Sequence, residues 1–469
     1  MAESIMNTDR EEPLDKPKLL GVRHLQYFLL FTSTFVAYGV RIAFNVGIIA
    51  IVSSNPLEGV PTYPEWSSKK NVMLSSFFWG YIAPQVLVGE LAKSYGAKWF
   101  LTGATLLGSV FSILIPVFAQ EFGYQGIIFC RVLQGFGQSF LFPCVHTLLS
   151  KWTPINDRGK VGGFTCSSRN DDINASDWIA MLAGLFFTFF GALGIAWTIL
   201  FAFLGTESPS QHKSISEIEK NYIEHGTDID TDNKKLRTPW KAIFTSLPFW
   251  AILICHCGEN WGYWTLLTEI PSFLDKNLKF DIASNSLLSA LPYFVFWILS
   301  FVMGATADFF IRRKVTSVTA SRKIFTSVAM FVPVVALLSI TFIDTQRFVI
   351  IFLLVLSVGA TAGIFCGYYI NHIDLSPNYA GALMGFTTMV SNISSLLAPL
   401  SVDLIIYITG YQETDRELWN IVFYIASIIY LVTGCFYIYG GSGDVQSWNT
   451  PKERRADVFN YTNDRIKDT

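Results

Sequence analysis

Eleven apolar segments, each long enough to cross a lipid bilayer, dominate this sequence. They lie near residues 25–52, 72–92, 99–119, 124–150, 178–205, 247–267, 286–307, 324–343, 348–370, 380–409 and 418–440. A helix needs about 20 mostly apolar residues to cross the hydrocarbon core, where an open backbone group finds no hydrogen-bond partner. We therefore predict an all-α, polytopic membrane protein.

The composition excludes other classes of protein. Charged residues make up 15% of the chain and hydrophobic residues 51%, whereas soluble domains carry about 25% charged residues. A formal net charge of −2 argues against a nucleic-acid partner. No Cys–His cluster has the spacing of a zinc site. We expect the lipid bilayer as the main partner, a monomer, no metal site and no cofactor.

Basic loops predict which side of the membrane each loop occupies, because Lys and Arg are retained on the cytoplasmic side. The loops near 151–169 and 213–241 are both basic, so an even number of crossings should separate them. The single apolar segment 178–205 lies between them. We therefore predict twelve spans of which the fifth is missing or degenerate. The alternative is an odd, re-entrant or surface segment over 155–175.

A long polar stretch divides the chain into two halves that resemble each other. After the second span of each half, a Gly followed by small residues ends in a basic group, from Gly89 to Lys98 and from Gly304 to Lys314. Two six-helix halves with a cytoplasmic linker form the major facilitator arrangement. The predicted regions are an N-terminal tail at 1–24, a helix bundle at 25–205, a linker at 206–241, a second bundle at 242–440 and a C-terminal tail at 441–469.

An ordered set of local motifs extends over nearly the whole chain, except about 164–177. The motifs are Ser75-Ser76-Phe77-Phe78-Trp79-Gly80-Tyr81, Arg131-x-Leu133-x-Gly135, Ser150-Lys151-Trp152-x-Pro154, Glu259-Asn260-Trp261-Gly262, Asn371-His372-Ile373-Asp374-Leu375-Ser376-Pro377 and Tyr379-Ala380-Gly381. Together they resemble the anion:cation symporter family, which includes sialin, the vesicular glutamate transporters and sodium–phosphate cotransporters. The likeness is closest to insect members called putative inorganic phosphate cotransporters.

The resemblance implies a twelve-helix major facilitator fold with a central anion site, alternating access and coupling to Na⁺ or H⁺. Two positions depart from the family. Many proton-coupled members have an acidic residue in span four where this chain has Gln138. The vesicular glutamate members have a basic residue where this chain has Glu259, so a glutamate transporter is not expected.

Arg41 is the leading candidate for binding an anion. It lies deep in the first span, where a guanidinium is costly unless it faces a cavity or a partner, and its planar fork suits a carboxylate or a phosphate. The alternative is an anchor that reaches to the membrane surface. The other predicted substrate-binding residues are Asn45, Tyr81, Asn260 and Tyr263. Trp79 and Trp264 are predicted to line the cavity. The alternative is that they are packing residues or lie at the membrane interface.

Polar groups inside the spans are candidates for ion coupling. Glu259 is a candidate to bind a cation, or alternatively to pair with Arg41 or Arg131. His146 and His256 are candidates because histidine side chains commonly titrate in the physiological range, although each could be a packing residue. The predicted coupling set is Arg131, Gln138, His146, His256 and Glu259, and the predicted gate set is Glu90, Lys93, Asp308 and Arg312. His372 and Asp374 are expected to be structural.

We therefore predict a secondary active transporter rather than an enzyme. It would carry a small anion, phosphate or an organic carboxylate, together with Na⁺ or H⁺ across the plasma membrane or a lysosomal or vesicular membrane. No phosphate-cradling loop is present, so transport would draw on an ion gradient. The alternative is a truncated relative that does not transport, because the fifth span normally helps to line the cavity. A receptor is not expected, because eleven or twelve spans and a repeat of two halves do not match a seven-helix bundle.

Overall fold

The computed structural model describes residues 21–52, 62–166, 183–225, 227, 237–279, 282–343 and 346–450. Each of the eleven apolar segments is helical in its described residues, and these ranges contain no strand. By length and composition, seven described helices could cross a membrane, and a bent pair makes an eighth. Most of both predicted tails and the stretch 167–182 lie outside these ranges.

The described residues of the first half form seven α-helices. They are α1 (Val22–Ile51), α2 (Lys70–Ile82), α3 (Gln85–Tyr95), α4 (Ala97–Gln138), α5 (Leu141–Trp152), α6 (Arg158–Cys166) and α7 (Ala183–Leu204). Helices α2 and α3 belong to one span that bends by 44°. Pro84 lies at the bend, where its ring removes a backbone donor and clashes with the preceding turn.

Helix α4 is a hairpin that contains two crossings. Gly123 has φ 63° and ψ −152°, a backbone conformation that only glycine adopts without strain. The rings of Phe111 and Phe129 lie 6.0 Å apart, although a straight helix would separate these residues by about 27 Å. The predicted third and fourth spans therefore run antiparallel on either side of Gly123.

Nine α-helices lie in the described residues of the linker and the second half. They are α8 (Glu217–His225), α9 (Trp240–Phe244), α10 (Leu247–Ser272), α11 (Ile282–Arg312), α12 (Val318–Thr341), α13 (Arg347–Ala360), α14 (Asn371–Leu375), α15 (Ala380–Thr409) and α16 (Arg416–Gly440). Helix α10 packs between α15 and α16, and α12 packs against α13 and α16.

The two halves contact each other at the end of the molecule that carries the basic loops, which we call the cytoplasmic end. Helices α3 and α5 of the first half pack against α15, and α6 packs against α11. A Cβ atom on Gly89 would lie 2.4 Å from the Cα of Ala382, and one on Gly304 would lie 2.7 Å from the carbonyl of Gly159. The two repeated glycines therefore mark two close approaches between the halves.

Helix α6 occupies the start of the region where the fifth span is predicted to be missing. The structure describes α6 over the nine residues Arg158–Cys166, and this described range ends there. Most of its residues are buried, and Gly162 and Gly163 approach the backbone of the second half. Residues 158–166 are therefore not a surface segment, while 167–182 lie outside the described ranges.

Candidate anion site and cytoplasmic gate

The side chain of Arg41 is enclosed by four aromatic rings. Its Cζ atom lies 4.6 Å from the ring centre of Phe77, 5.1 Å from Phe78, 5.9 Å from Tyr81 and 5.3 Å from Trp264. The first three rings belong to α2 and Trp264 belongs to α10 of the second half. Arg41 is 8% exposed, so this charge lies between the two halves and away from water.

Arg131 is a second buried guanidinium beside the first. It is 2% exposed, and its Cζ atom lies 4.2 Å from the ring centre of Phe44 and 4.9 Å from Phe77. Its Nη1 donates to the Oε1 of Gln134 at 3.1 Å, whereas its Nε has no hydrogen-bond partner in the described structure. The ring of Phe77 thus contacts both arginines.

The two guanidiniums lack a protein counter-ion within the described ranges. Neither Arg41 nor Arg131 forms an ion pair there, so the alternative pairing with Glu259 is not observed. Cation–π contacts contribute about 0.5–2 kcal/mol each, far less than the penalty for removing a charge from water. An anionic ligand between the two side chains would compensate them.

The other predicted substrate-binding residues are partly accounted for. Tyr81 joins the ring of aromatics around Arg41. Asn260 and Tyr263 are buried on α10, four residues and one residue before Trp264. The side chain of Asn45 lies outside the described structure. Trp79 is 58% exposed and is not one of the four rings around Arg41.

Sequence reasoning did not assign Phe44, Phe77 or Phe78 to the site. Phe77 and Phe78 were present in a quoted motif, and the spacing of Phe77 and Tyr81 places both on one face of α2. Phe44 follows Arg41 by three residues, which also places the two on one helix face. The available signals were therefore the helical spacing of Phe44 from Arg41 and that of Phe77 from Tyr81.

Glu259 is a fully buried carboxylate on α10. Its exposed fraction is 0%, and its Oε2 accepts a hydrogen bond of 3.0 Å from the hydroxyl of Tyr368. Of the other predicted coupling residues, Gln138 donates to the carbonyl of Ala37. His146 and His256 are both almost completely buried. These side chains lie on elements of both halves.

A buried ion triad closes the cytoplasmic end. Asp374 accepts from the Nη1 of Arg158 at 2.8 Å and from the Nε of Arg322 at 2.6 Å. All three side chains are 1% exposed. Burial raises the pKa of Asp374, but the charges of Arg322 and Arg158 outweigh this and hold it below its ordinary value. Arg158 belongs to the first half, so the triad joins the two halves.

Asp308, one of the predicted gate residues, caps a helix of the opposite half. Its carboxylate accepts from the backbone N–H of Gly159 at 2.9 Å and of Lys160 at 2.7 Å. These are the first free amides of α6, where a carboxylate is favoured by the helix dipole. The Nη1 of Arg312 lies 4.0 Å from the Oδ1 of Asp157, at the exposed edge of the same contact between the halves.

The predicted gate residues of the first half lie on α3, which faces α15. The Nζ of Lys93 lies 3.9 Å from the ring centre of Tyr379. Glu90 precedes it by less than one turn, and its Oε1 is buried with no hydrogen-bond partner in the described structure. The structure thus brings Lys93, Asp308 and Arg312 to the interface between the halves.

Sequence reasoning missed Arg158 and Arg322 as parts of the closed gate. Both were counted only as basic loop residues, and Asp374 was expected to be structural. The available signal was an isolated acid at the end of the tenth span, which is costly to bury without basic partners. The identity of those partners depends on tertiary contacts.

Comparison with known proteins gives consistent matches. The family description Major Facilitator Superfamily matches residues 29–169 and 174–399. A Drosophila ananassae protein named “Putative inorganic phosphate cotransporter” is 36% identical, over 91% of this chain and 94% of the relative. Human sialin is 31% identical, over 95% of this chain and 97% of sialin. The solved E. coli fucose:proton symporter has a TM-score of 0.61 at 11% identity and covers 88% of this chain and 99% of its own.

Proposed function

This chain belongs to the major facilitator superfamily, within the anion:cation symporter family, and on that premise we propose that it carries a small anion by ion-coupled symport. Membership makes it a multi-pass membrane transporter and not an enzyme, which confirms those predictions and the predicted fold. The proposed cargo is inorganic phosphate or an organic carboxylate, moved together with Na⁺ or H⁺ by alternating access.

The pair of uncompensated guanidiniums is the observation that supports an anionic cargo. Arg41 and Arg131 both contact the Phe77 ring, and Arg41 also contacts Trp264 of the second half. A ligand held by Arg41 would therefore contact both halves, as alternating access requires. Charge-assisted hydrogen bonds to a carboxylate or phosphate contribute about 1.5–3 kcal/mol each.

Glu259 supplies a physical basis for ion coupling. Its buried carboxylate lies on α10, five residues before Trp264, and is opposite in sign to the two arginines. Neutralising it with H⁺ or Na⁺ would increase the net positive charge of the centre and so favour anion binding. Because binding linkage is reciprocal, the bound anion would equally favour the bound cation.

The closed cytoplasmic end supports a transport cycle with two states. The Asp374 triad and the Asp308 cap both join one half to the other, so release of the anion into the cytoplasm requires both to separate. These contacts are discrete and can be broken and remade as a unit. The proposed cycle therefore opens this end when the anion site has been filled from the other side.

The transport assay uses the full chain reconstituted in liposomes. Uptake of phosphate and of a series of carboxylates is measured under an imposed Na⁺ gradient, an imposed H⁺ gradient and neither. We expect uptake of at least one anion class that needs one of the gradients. Arg41→Ala should reduce it by about tenfold or more, and Arg41→Lys should restore only part because the planar fork is lost.

Arg313→Ala is the matched control, because Arg313 is an exposed basic residue outside the site and its loss should leave uptake unchanged. Full uptake by a correctly inserted Arg41→Ala variant would contradict the anion site. Absence of uptake of any tested anion by the wild type would favour the alternative, a non-transporting relative that lacks the fifth span. The single apolar segment 178–205 between two basic loops is the observation on which that alternative rests.

A further inference from the structure

Three buried histidines converge where the two halves meet. The ring centre of His372 lies 6.0 Å from that of His146 and 6.1 Å from that of His256. His146 belongs to α5 of the first half, whereas His256 and His372 belong to α10 and α14 of the second half. All three are at most 1% exposed, so this histidine cluster is enclosed while the cytoplasmic end is closed.

The nitrogen atoms of His146 are not equally satisfied. Its Nδ1 lies 3.1 Å from the carbonyl of Phe142, which can only accept, so Nδ1 carries the hydrogen in the neutral ring. Its Nε2 has no hydrogen-bond partner in the described structure. In His372, by contrast, Nδ1 lies 2.7 Å from the carbonyl of Tyr369 and Nε2 lies 2.8 Å from the hydroxyl of Thr387.

The neighbouring helices supply few compensating charges to His146. The elements packed against α5 are α1, α3, α4, α8 and α15. Their charged groups include Arg41, Glu90, Lys93, Arg131, Glu219 and Asp403, and Glu259 and Asp374 lie on α10 and α14 beside the histidine cluster. None of these acids forms an ion pair with His146 within the described ranges. The rings that contact His146 directly are those of Tyr369, at 5.3 Å, and His372. Neither carries a negative charge at neutral pH.

We propose that His146 is a proton-binding site that takes up a proton when the cytoplasmic end opens, a role that rests on the proposed transport cycle. Binding adds one proton from water to Nε2, and no other bond changes. In the closed state the resulting imidazolium would be a buried cation enclosed by the rings of Tyr369 and His372. When the halves separate, water reaches Nε2 and hydrates the charge.

The direction of the effect follows from linkage. A ligand shifts a conformational equilibrium toward the state that binds it more tightly. The open state binds the proton more tightly, so lowering the cytoplasmic pH favours opening. His372 is a positioning residue in this scheme, because its ring packs against that of His146 and both of its own nitrogens are hydrogen-bonded.

The test measures gate opening without any substrate. Spin labels are attached at Tyr95→Cys and Val315→Cys, two exposed sites at the cytoplasmic ends of opposite halves, in the full chain carrying Cys257→Ala and Cys435→Ala. Distances between the labels are recorded at about pH 8 and about pH 5.5, a range that spans ordinary imidazole titration. We expect the ratio of open to closed molecules to rise about tenfold at the lower pH.

The variants distinguish His146 from other titrating groups. His146→Gln and His146→Asn should each remove most of the pH response, whereas His24→Gln, a histidine outside the cluster, should keep it. A wild-type ratio that does not change with pH overturns the proposal, and so does an unchanged response in whichever His146 variant folds. Because no anion is present, the result is separate from the uptake assay, and a pH response without uptake would contradict only the transport proposal.

Discussion

Lys93 and Asp308 occupy equivalent positions in the two halves of the chain but carry opposite charges. Each lies four residues after a glycine at which the halves approach closely, Gly89 or Gly304. Asp308 caps the first amides of α6, whereas Lys93 packs on the ring of Tyr379 at the start of α15. The two sides of the cytoplasmic gate are therefore closed by different chemistry.

Lys93→Asp should make the two sides alike. A carboxylate at this position would meet the amides of Gly381 and Ala382 as Asp308 meets those of Gly159 and Lys160. The closed state should gain about 1 kcal/mol, the usual contribution of a helix cap, and the spin-label distances should show fewer open molecules. Lys93→Gln, which removes the cation without adding an acceptor, is the control and should not favour closure. An equal or greater open fraction in Lys93→Asp would show that the equivalence is only one of sequence.

Gly89→Ala or Gly304→Ala should force the cytoplasmic ends apart. The new Cβ would lie within 2.4 Å of Ala382 or 2.7 Å of Gly159, and backbone atoms cannot yield as a side chain can. Overpacking of this kind destabilises the closed state by about 1–3 kcal/mol. Separation of the halves relieves it, so the open fraction should rise. Gly103→Ala is the matched control, because nothing lies within 4 Å of its Cβ. It should leave the gate unchanged and raise thermal stability slightly, and a similar opening in Gly103→Ala would contradict the assignment of the interface.

Asp374→Asn should destabilise the closed state strongly. The change leaves Arg158 and Arg322 buried without a carboxylate, and removing one partner of a buried ion pair costs about 3–5 kcal/mol. We expect a lower melting temperature and a larger open fraction in the spin-label experiment. The exposed Asp444 at the same end supplies the control, since Asp444→Asn should change neither. A melting temperature equal to that of the wild type would mean that the triad contributes little.

Glu259→Gln should separate anion transport from its driving gradient. The amide keeps the shape and its oxygen can still accept from Tyr368, but the side chain can no longer gain or lose a charge. Net uptake should lose its dependence on the imposed Na⁺ or H⁺ gradient, while exchange of labelled anion across the membrane continues. Glu413→Gln, at an exposed acid, should keep the dependence. Coupling that survives in Glu259→Gln would assign the carboxylate a packing role.

The helices could be predicted because lipid requires every backbone group of a crossing segment to be paired internally. The repeat of Gly89 and Gly304 likewise indicated where the halves approach. The orientation of Trp79 could not be predicted, because both faces of α2 are apolar. The composition of the helix therefore does not show which face meets lipid and which meets the protein core. The partners of Asp374 were hidden for a related reason, since Arg158 is 216 residues away in sequence and nothing local indicates the pairing.

The nine described residues of α6 carry several of the contacts that hold the cytoplasmic gate closed. They lie at the start of the region predicted for the fifth span. Arg158 binds Asp374, the amides of Gly159 and Lys160 receive Asp308, and Gly162 and Gly163 fit against the second half. Selection on these contacts acts on the first two turns alone. Insertions, deletions or exon changes beyond Cys166 would leave them intact, so in evolution the length of this segment can vary independently of the gate.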